Sequence, residues 1–209
     1  NLKNGLLNIP KCKNIKIKLH REIEGTMKSI TISKTPSNKY FASILCELEI
    51  PEPIYSGNKI GIDWGVKTFL TISNGETIEP PKYLKASEKK LKRLSRNVSK
   101  KQKGSNNKLK ATIKFAKLHE KVANQRIDFL HKLSKQLVCE NQAIYIENLS
   151  IKNMVKNHYL AKLISDSGWN LFTNMLQYKS DWYGCHLYKL DRWFPSSKRC
   201  HVVAILTKI

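Results

Sequence analysis

The stretch Ile60-Gly61-Ile62-Asp63-Trp64-Gly65-Val66-Lys67-Thr68-Phe69 sets one carboxylate inside a run that otherwise reads as a buried strand. A buried aspartate is costly unless hydrogen-bond donors, a basic side chain or a metal ion offset its desolvation. The surroundings decide which partner applies. Ser56-Gly57-Asn58 is a turn signal before the stretch. After it, "KTFLTISNG" and "ETIEP" read as two more strands joined by the tight-turn dipeptide Asn74-Gly75. Asp63 is thus expected on the first strand of an antiparallel meander.

Working outward, the first fifty residues alternate as strands do. "KNIKIKLH" puts Ile15, Ile17 and Leu19 on one face, "MKSITIS" repeats the pattern, and "KYFASILCELEI" runs on to the Pro51-Glu52-Pro53 break. A small antiparallel sheet or part of a barrel is expected over residues 1–55, with a second domain over 56–209. Residues 82–140 change to helical spacing. Leu84, Leu91, Leu94 and Val98, then Leu109, Ile113 and Ala116, then Leu130, Leu133 and Leu137 mark two amphipathic helices broken at "KGSNN". "QAIYIENLS" returns to a strand ending in Glu147. One helix is expected from Leu160 to Tyr183 with Trp169, Phe172, Leu176 and Trp182 in the core, then a last strand in "CHLYKLDRWFP" closed by Pro195. Long helices between strands of one sheet indicate an α/β or α+β domain.

The charge is lopsided. Across 209 residues, 38 Lys and Arg face 16 Asp and Glu, a formal +22 that exceeds what solubility requires and points to a polyanion such as nucleic acid. From Lys82 to Lys135, 18 basic residues stand against 3 acids (Glu88, Glu120 and Asp128), so 15 of the 22 charges are local. Phosphate-backbone contact is expected of Lys89, Lys90, Lys92, Arg93, Arg96, Lys100, Lys101, Lys103 and Arg126. The sequence carries neither an apolar run of membrane-spanning length nor a secretory leader, so a cytoplasmic location is expected. Cys12, Cys46, Cys139, Cys185 and Cys200 never fall in a C-x-x-C pair and read as buried, reduced thiols. The chain starts at Asn1 in a polar loop, which reads as a fragment.

Asp63 and Glu147 stand at comparable ends of two strands. On neighbouring strands they could share Mg²⁺, the cation that suits oxygen ligands beside phosphate. An Asp beside glycines also suits a turn, and a Glu at a strand end also suits a cap. His119 and His131, inside the basic helices, read as phosphate-contacting or solvated. Ser165 and Ser167 lack a paired His and suit a helix N-terminus.

Taken together, "GIDWGVKTFLTISNG", "ANQRIDFLHKLS", "YIENLSIKNM", "ISDSGWNLF" and "DRWFPSSKRC" resemble the TnpB (OrfB) family of transposon-encoded, RNA-guided nucleases along nearly the whole chain. The resemblance implies a RuvC nuclease domain of RNase H-like fold over 56–209, with the basic hairpin inserted and part of a wedge-type β-barrel before it. It implies Mg²⁺ on Asp63 and Glu147, guide RNA and DNA as partners, and a prokaryotic, nucleoid-associated setting. Trp64 stands where the family commonly has Leu and reads as a packing change. The family continues into a second cysteine pair and a third aspartate, whereas here Val203 replaces the partner of Cys200 and nothing after Asp191 is acidic. Zinc binding is therefore not expected, and a frameshift, an early stop or a boundary within a longer chain would explain the tail. Asp166, Asp181 and Asp191 remain as substitute ligands, although Asp166 and Asp181 read better as capping or flanking the last helix and Asp191 as closing a strand. Two functions follow: Mg²⁺-dependent cleavage of DNA chosen by a guide RNA, or a nuclease-dead derivative that only binds RNA or DNA.

Overall fold

The structure is a computed structural model that describes residues 2–3, 5–49, 57–65 and 68–191. The chain divides into two compact units, residues 1–35 with 39–49, and residues 36–38 with 50–209.

The first unit is antiparallel β, as expected. β1 (Leu2–Lys3), β2 (Leu6–Ile9) and β3 (Cys12–Lys16) form one sheet; β4 (Thr26–Lys34) and β5 (Tyr40–Glu47) form a hairpin. The face expected for Ile15, Ile17 and Leu19 does not form. β3 ends at Lys16, and Ile15 and Leu19 are exposed. A register shift between Leu7 and Ile9 and a left-handed Asn14 (φ 56°) interrupt the alternation. The Asn14 amide donates instead to Asn8 Oδ1 at 2.7 Å.

The second unit is a mixed α/β layer structure. β6 (Lys59–Trp64), β7 (Leu70–Ile72) and β8 (Thr77–Ile78) are the expected meander. Its tight turn has Gly75 at φ 90°, and the Glu76 amide donates to Asn74 Oδ1 at 2.9 Å. β9 (Ala143–Glu147) and β10 (His186–Leu190) add in parallel on the other side of β6, giving a five-stranded sheet of order β10-β9-β6-β7-β8. α1 (Tyr83–Ser99) and α2 (Asn106–Glu140) are the basic hairpin. The "KGSNN" break supplies the N-cap of α2: the Ser105 hydroxyl accepts from the Lys108 amide at 3.2 Å.

Ile62, Ile144 and Ile146 on one sheet face pack with Leu130, Leu133 and Leu137 of α2 and with Trp169, Phe172 and Leu176 of the last helix in one buried cluster. Leu109, expected on the inner face of the hairpin, is exposed, and Ala111 is buried in its place. The helical segment after β9 is α3 (Ile151–Met154), α4 (His158–Ser167) and α5 (Trp169–Tyr183), so the single helix expected from 160 is broken at Gly168. Gly168 sits at φ 73°, and an added Cβ would lie 3.2 Å from Leu130 Cδ1 and 3.3 Å from Arg126 Cδ. A residue with a side chain would be strained there and pressed against α2.

Three more expectations are corrected. Trp182 is 54% exposed because it lies off the stripe that Trp169, Phe172 and Leu176 define. Ser165 and Ser167 lie in the C-terminal part of α4, and the Ser167 hydroxyl donates to the Ile164 carbonyl at 2.7 Å. Cys185 alone among the described cysteines is buried, whereas Cys12 and Cys139 are exposed. Pro195 and Cys200 lie outside the described residues.

Candidate metal centre and nucleic-acid interface

β6 and β9 run parallel with Lys59 beside Ala143, Ile60 beside Ile144, Gly61 beside Tyr145 and Ile62 beside Ile146. One further step in that register sets Asp63 level with Glu147. Level residues on neighbouring strands share a face, and strands lie about 4.8 Å apart. The ladder itself ends at Ile62 and Ile146; Asp63 and Glu147 are the next residue on each strand, at the C-terminal end, where open α/β sheets bind ligands.

The premise of a buried Asp63 is overturned. Pleating sends Ile62 and Trp64 into the core and leaves Asp63 exposed on the opposite face, opposite Thr71 of β7. Its carboxylate needs no buried counter-ion to be tolerated, which frees it for a ligand. The same face carries Tyr145 stacked on Tyr188, with ring centroids 4.9 Å apart and planes at 16°. Beneath the site, the Trp64 ring meets Phe172 edge-on at 5.6 Å and lies 6.2 Å from both Phe69 and Trp169. That is the packing role expected of the tryptophan. Gly65 has no room for a side chain, since an added Cβ would lie 2.5 Å from the Thr68 carbonyl oxygen.

Glu147 is half-buried and borders a cavity of about 200 Å³ between the end of β9 and the start of α5. Asn148, Asn170, Asn174 and Lys189 line it with Trp64 and Trp169. Sequence reasoning missed this polar rim; its only signal was asparagines recurring four apart beside a buried tryptophan.

The remaining acids are dispersed. Asp166 is ion-paired with Arg126, Asp181 is exposed near the end of α5, and Asp191 is exposed just beyond β10. No group of three His, Cys, Asp or Glu able to hold a metal occurs among the described residues. Two level carboxylates nonetheless fit one Mg²⁺, which commonly takes one or two carboxylates and completes its octahedron with water and substrate phosphate.

The basic residues fall into two settings. Lys89, Lys90, Lys92, Arg93 and Arg96 are exposed along α1, and Lys100, Lys101 and Lys103 are exposed in the turn that follows. Lys92 is braced by Glu88 at 2.9 Å. Arg126 differs: its guanidinium is partly buried and engaged by Asp166, so it ties α2 to α4 rather than standing with the exposed row. Of the histidines, His119 meets Phe115, while partial burial and the nearby Lys179 hold His131 below its ordinary pKa, against the pull of Asp128.

Lys179 was not anticipated. It is only 6% exposed in α5, and its ammonium donates to the His131 carbonyl at 2.6 Å and to Ser134 Oγ at 2.8 Å. Burial and Lys135 lower its pKa from the usual lysine value. Its place three residues beyond Leu176 continues the core stripe, which was the available signal.

Comparison with known proteins gives this arrangement a class. Residues 43–158 match the OrfB_IS605 family model, described as "Probable transposase", and the chain belongs to that TnpB/OrfB family. Residues 169–207 also match the Cas12f1-like TNB domain. The chain is 41% identical over 201 residues to a "Putative RNA-guided DNA endonuclease" of Streptomyces pristinaespiralis, covering 95% of this chain and 50% of that protein. It is 32% identical over 213 residues to InsQ of Escherichia coli K12, of the same description, covering 94% and 52%. The chain thus spans about half the length of these relatives. Its fold resembles that of Cas12f1 in a complex with guide RNA and target DNA, at a TM-score of 0.50 and 21% identity over 80% of this chain and 35% of the other.

Proposed function

We propose that the second unit is the RuvC-type, RNase H-like nuclease core of a transposon-encoded RNA-guided DNA endonuclease, and that residues 1–55 belong to a wedge-type β domain that handles guide RNA. The parallel pairing of β6 with β9, which ends one residue short of Asp63 and Glu147, supports this reading. Asp63 and Glu147 would hold Mg²⁺; when bound, that ion activates the attacking water and stabilises the leaving oxygen of a phosphodiester. The protein's own contribution is to fix the two carboxylates on rigid neighbouring strands over a packed aromatic floor. The exposed cations of α1 and its turn, Lys89, Lys90, Lys92, Arg93, Arg96, Lys100, Lys101 and Lys103, would grip phosphates while base pairing with the guide selects the sequence.

One observation supports a second reading, a derivative that binds RNA or DNA without cleaving it: among the described residues no group of three His, Cys, Asp or Glu could hold a metal ion. Incubating the chain with guide RNA, target plasmid and Mg²⁺ separates the two. Cleavage that Asp63→Ala removes supports the nuclease. Salt-sensitive binding without any cleavage supports the binding protein.

A further inference from the structure

A shallow depression of about 320 Å³, wide open to solvent, lies between α1 and α2 and is lined by Leu91, Lys92, Ser95, Arg96, Phe115 and His119. It shares no residue with the cavity at Glu147. Helical spacing explains the lining: 91, 92, 95 and 96 form one stripe on α1, and 115 and 119 lie one turn apart on α2. The wall is apolar and aromatic. Leu91 is buried, Phe115 is half-buried, and the Phe115 and His119 rings meet at 87° with centroids 4.5 Å apart. The rim is cationic, with Lys92 and Arg96 exposed one turn apart. Ser95, short, polar and exposed, completes the α1 side of the lining.

We propose that this depression binds one unpaired nucleobase of a single-stranded nucleic acid, with Lys92 and Arg96 on the phosphates either side of it. This rests on the reading of the hairpin as a phosphate grip and adds a base-binding site to it. A phosphate grip alone requires cations on a surface; an open platform carrying the Phe115 ring beside those cations matches a base joined to its phosphates. A strand fits better than a free nucleotide, because the cationic row continues through Lys89, Lys90 and Arg93 and on to Lys100, Lys101 and Lys103, where neighbouring phosphates would lie.

The test uses the whole chain with oligonucleotides bearing a central 2-aminopurine, in deoxyribose, ribose and matched duplex forms. Wild type quenches the single-stranded probes. Phe115→Leu, which keeps apolar bulk without a ring, removes the quenching and weakens single-strand binding about 5- to 100-fold with duplex binding unchanged; Phe115→Tyr restores both, and far-UV circular dichroism shows that the helices persist. The ratio of ribose to deoxyribose affinity tells which strand is preferred. Unchanged quenching in Phe115→Leu, equal losses on strand and duplex, or competition by adenosine monophosphate as strong as by the strand overturns the site and leaves the phosphate grip standing. Binding that is indifferent to charge reversal at Lys89, Lys90 and Lys101 overturns both.

Discussion

Asp63 and Lys179 are the two residues whose surroundings carry the most weight, and they invert the usual expectation for charges. The carboxylate that reads as buried is exposed, and a lysine that reads as unremarkable is buried. An exposed Asp63 makes a separable prediction. Asp63→Ala should leave the thermal transition within about 0.5 kcal/mol of wild type while lowering any guided cleavage by more than about 100-fold. Lys179 should behave oppositely. Lys179→Glu sets a carboxylate against the His131 carbonyl and Ser134 Oγ, and should cost about 3 kcal/mol in urea unfolding. Because the folded state holds Lys179 below its ordinary pKa, it favours the neutral amine. Stability from this residue should therefore rise with pH between its folded pKa and about 10.5, and Lys179→Met should abolish that rise. His131 is lowered likewise, so stability should fall as pH drops through about 6.5 toward its folded value, an effect that His131→Gln removes.

At the scale of elements, the break between α4 and α5 is the most consequential departure from what periodicity alone suggests. Gly168 allows α5 to start afresh with Trp169 turned into the core, beneath Trp64 and beside the cavity at Glu147. Gly168→Ala should destabilise the fold by about 1–3 kcal/mol, read as a lower urea midpoint, since it combines a left-handed backbone with contact on Leu130 and Arg126. The meander, the hairpin helices and the existence of the two later strands were legible, because each has a recognisable pattern and punctuating turns, whereas the parallel pairing of those strands was not. The break was less legible, because a lone glycine within a helical pattern is often tolerated. Register between β6 and β9 was not legible at all: strands separated by a long helical hairpin pair through tertiary packing, which no local spacing encodes. The structure supplies the pairing of β6 with β9 up to Ile62 and Ile146; the joint role of Asp63 and Glu147 comes from family resemblance.

For the molecule as a whole, charge was the most readable property and burial in the first unit the least. Phe41 and Leu45 share one face of the β4–β5 hairpin and Ile32 lies on the other, yet all three are exposed; alternation reports a pleat, and whether a layer covers it depends on what packs there. The charge imbalance, concentrated on the α1–α2 hairpin, predicts a bulk effect. Replacing Lys89, Lys90 and Lys101 with Glu should weaken binding to unrelated sequences alike and reduce the slope of log affinity against log salt by roughly 1 for each phosphate the variant no longer neutralises. Filter binding across a salt series measures both.

Everything proposed for catalysis depends on Asp63 and Glu147 acting as one cation site. Mn²⁺, an octahedral stand-in for Mg²⁺, can be titrated into the chain and followed by electron paramagnetic resonance without guide or target. A shared site gives a bound ion that is lost in both Asp63→Asn and Glu147→Gln and displaced by excess Mg²⁺; a Mn²⁺ signal unchanged by either substitution would contradict it.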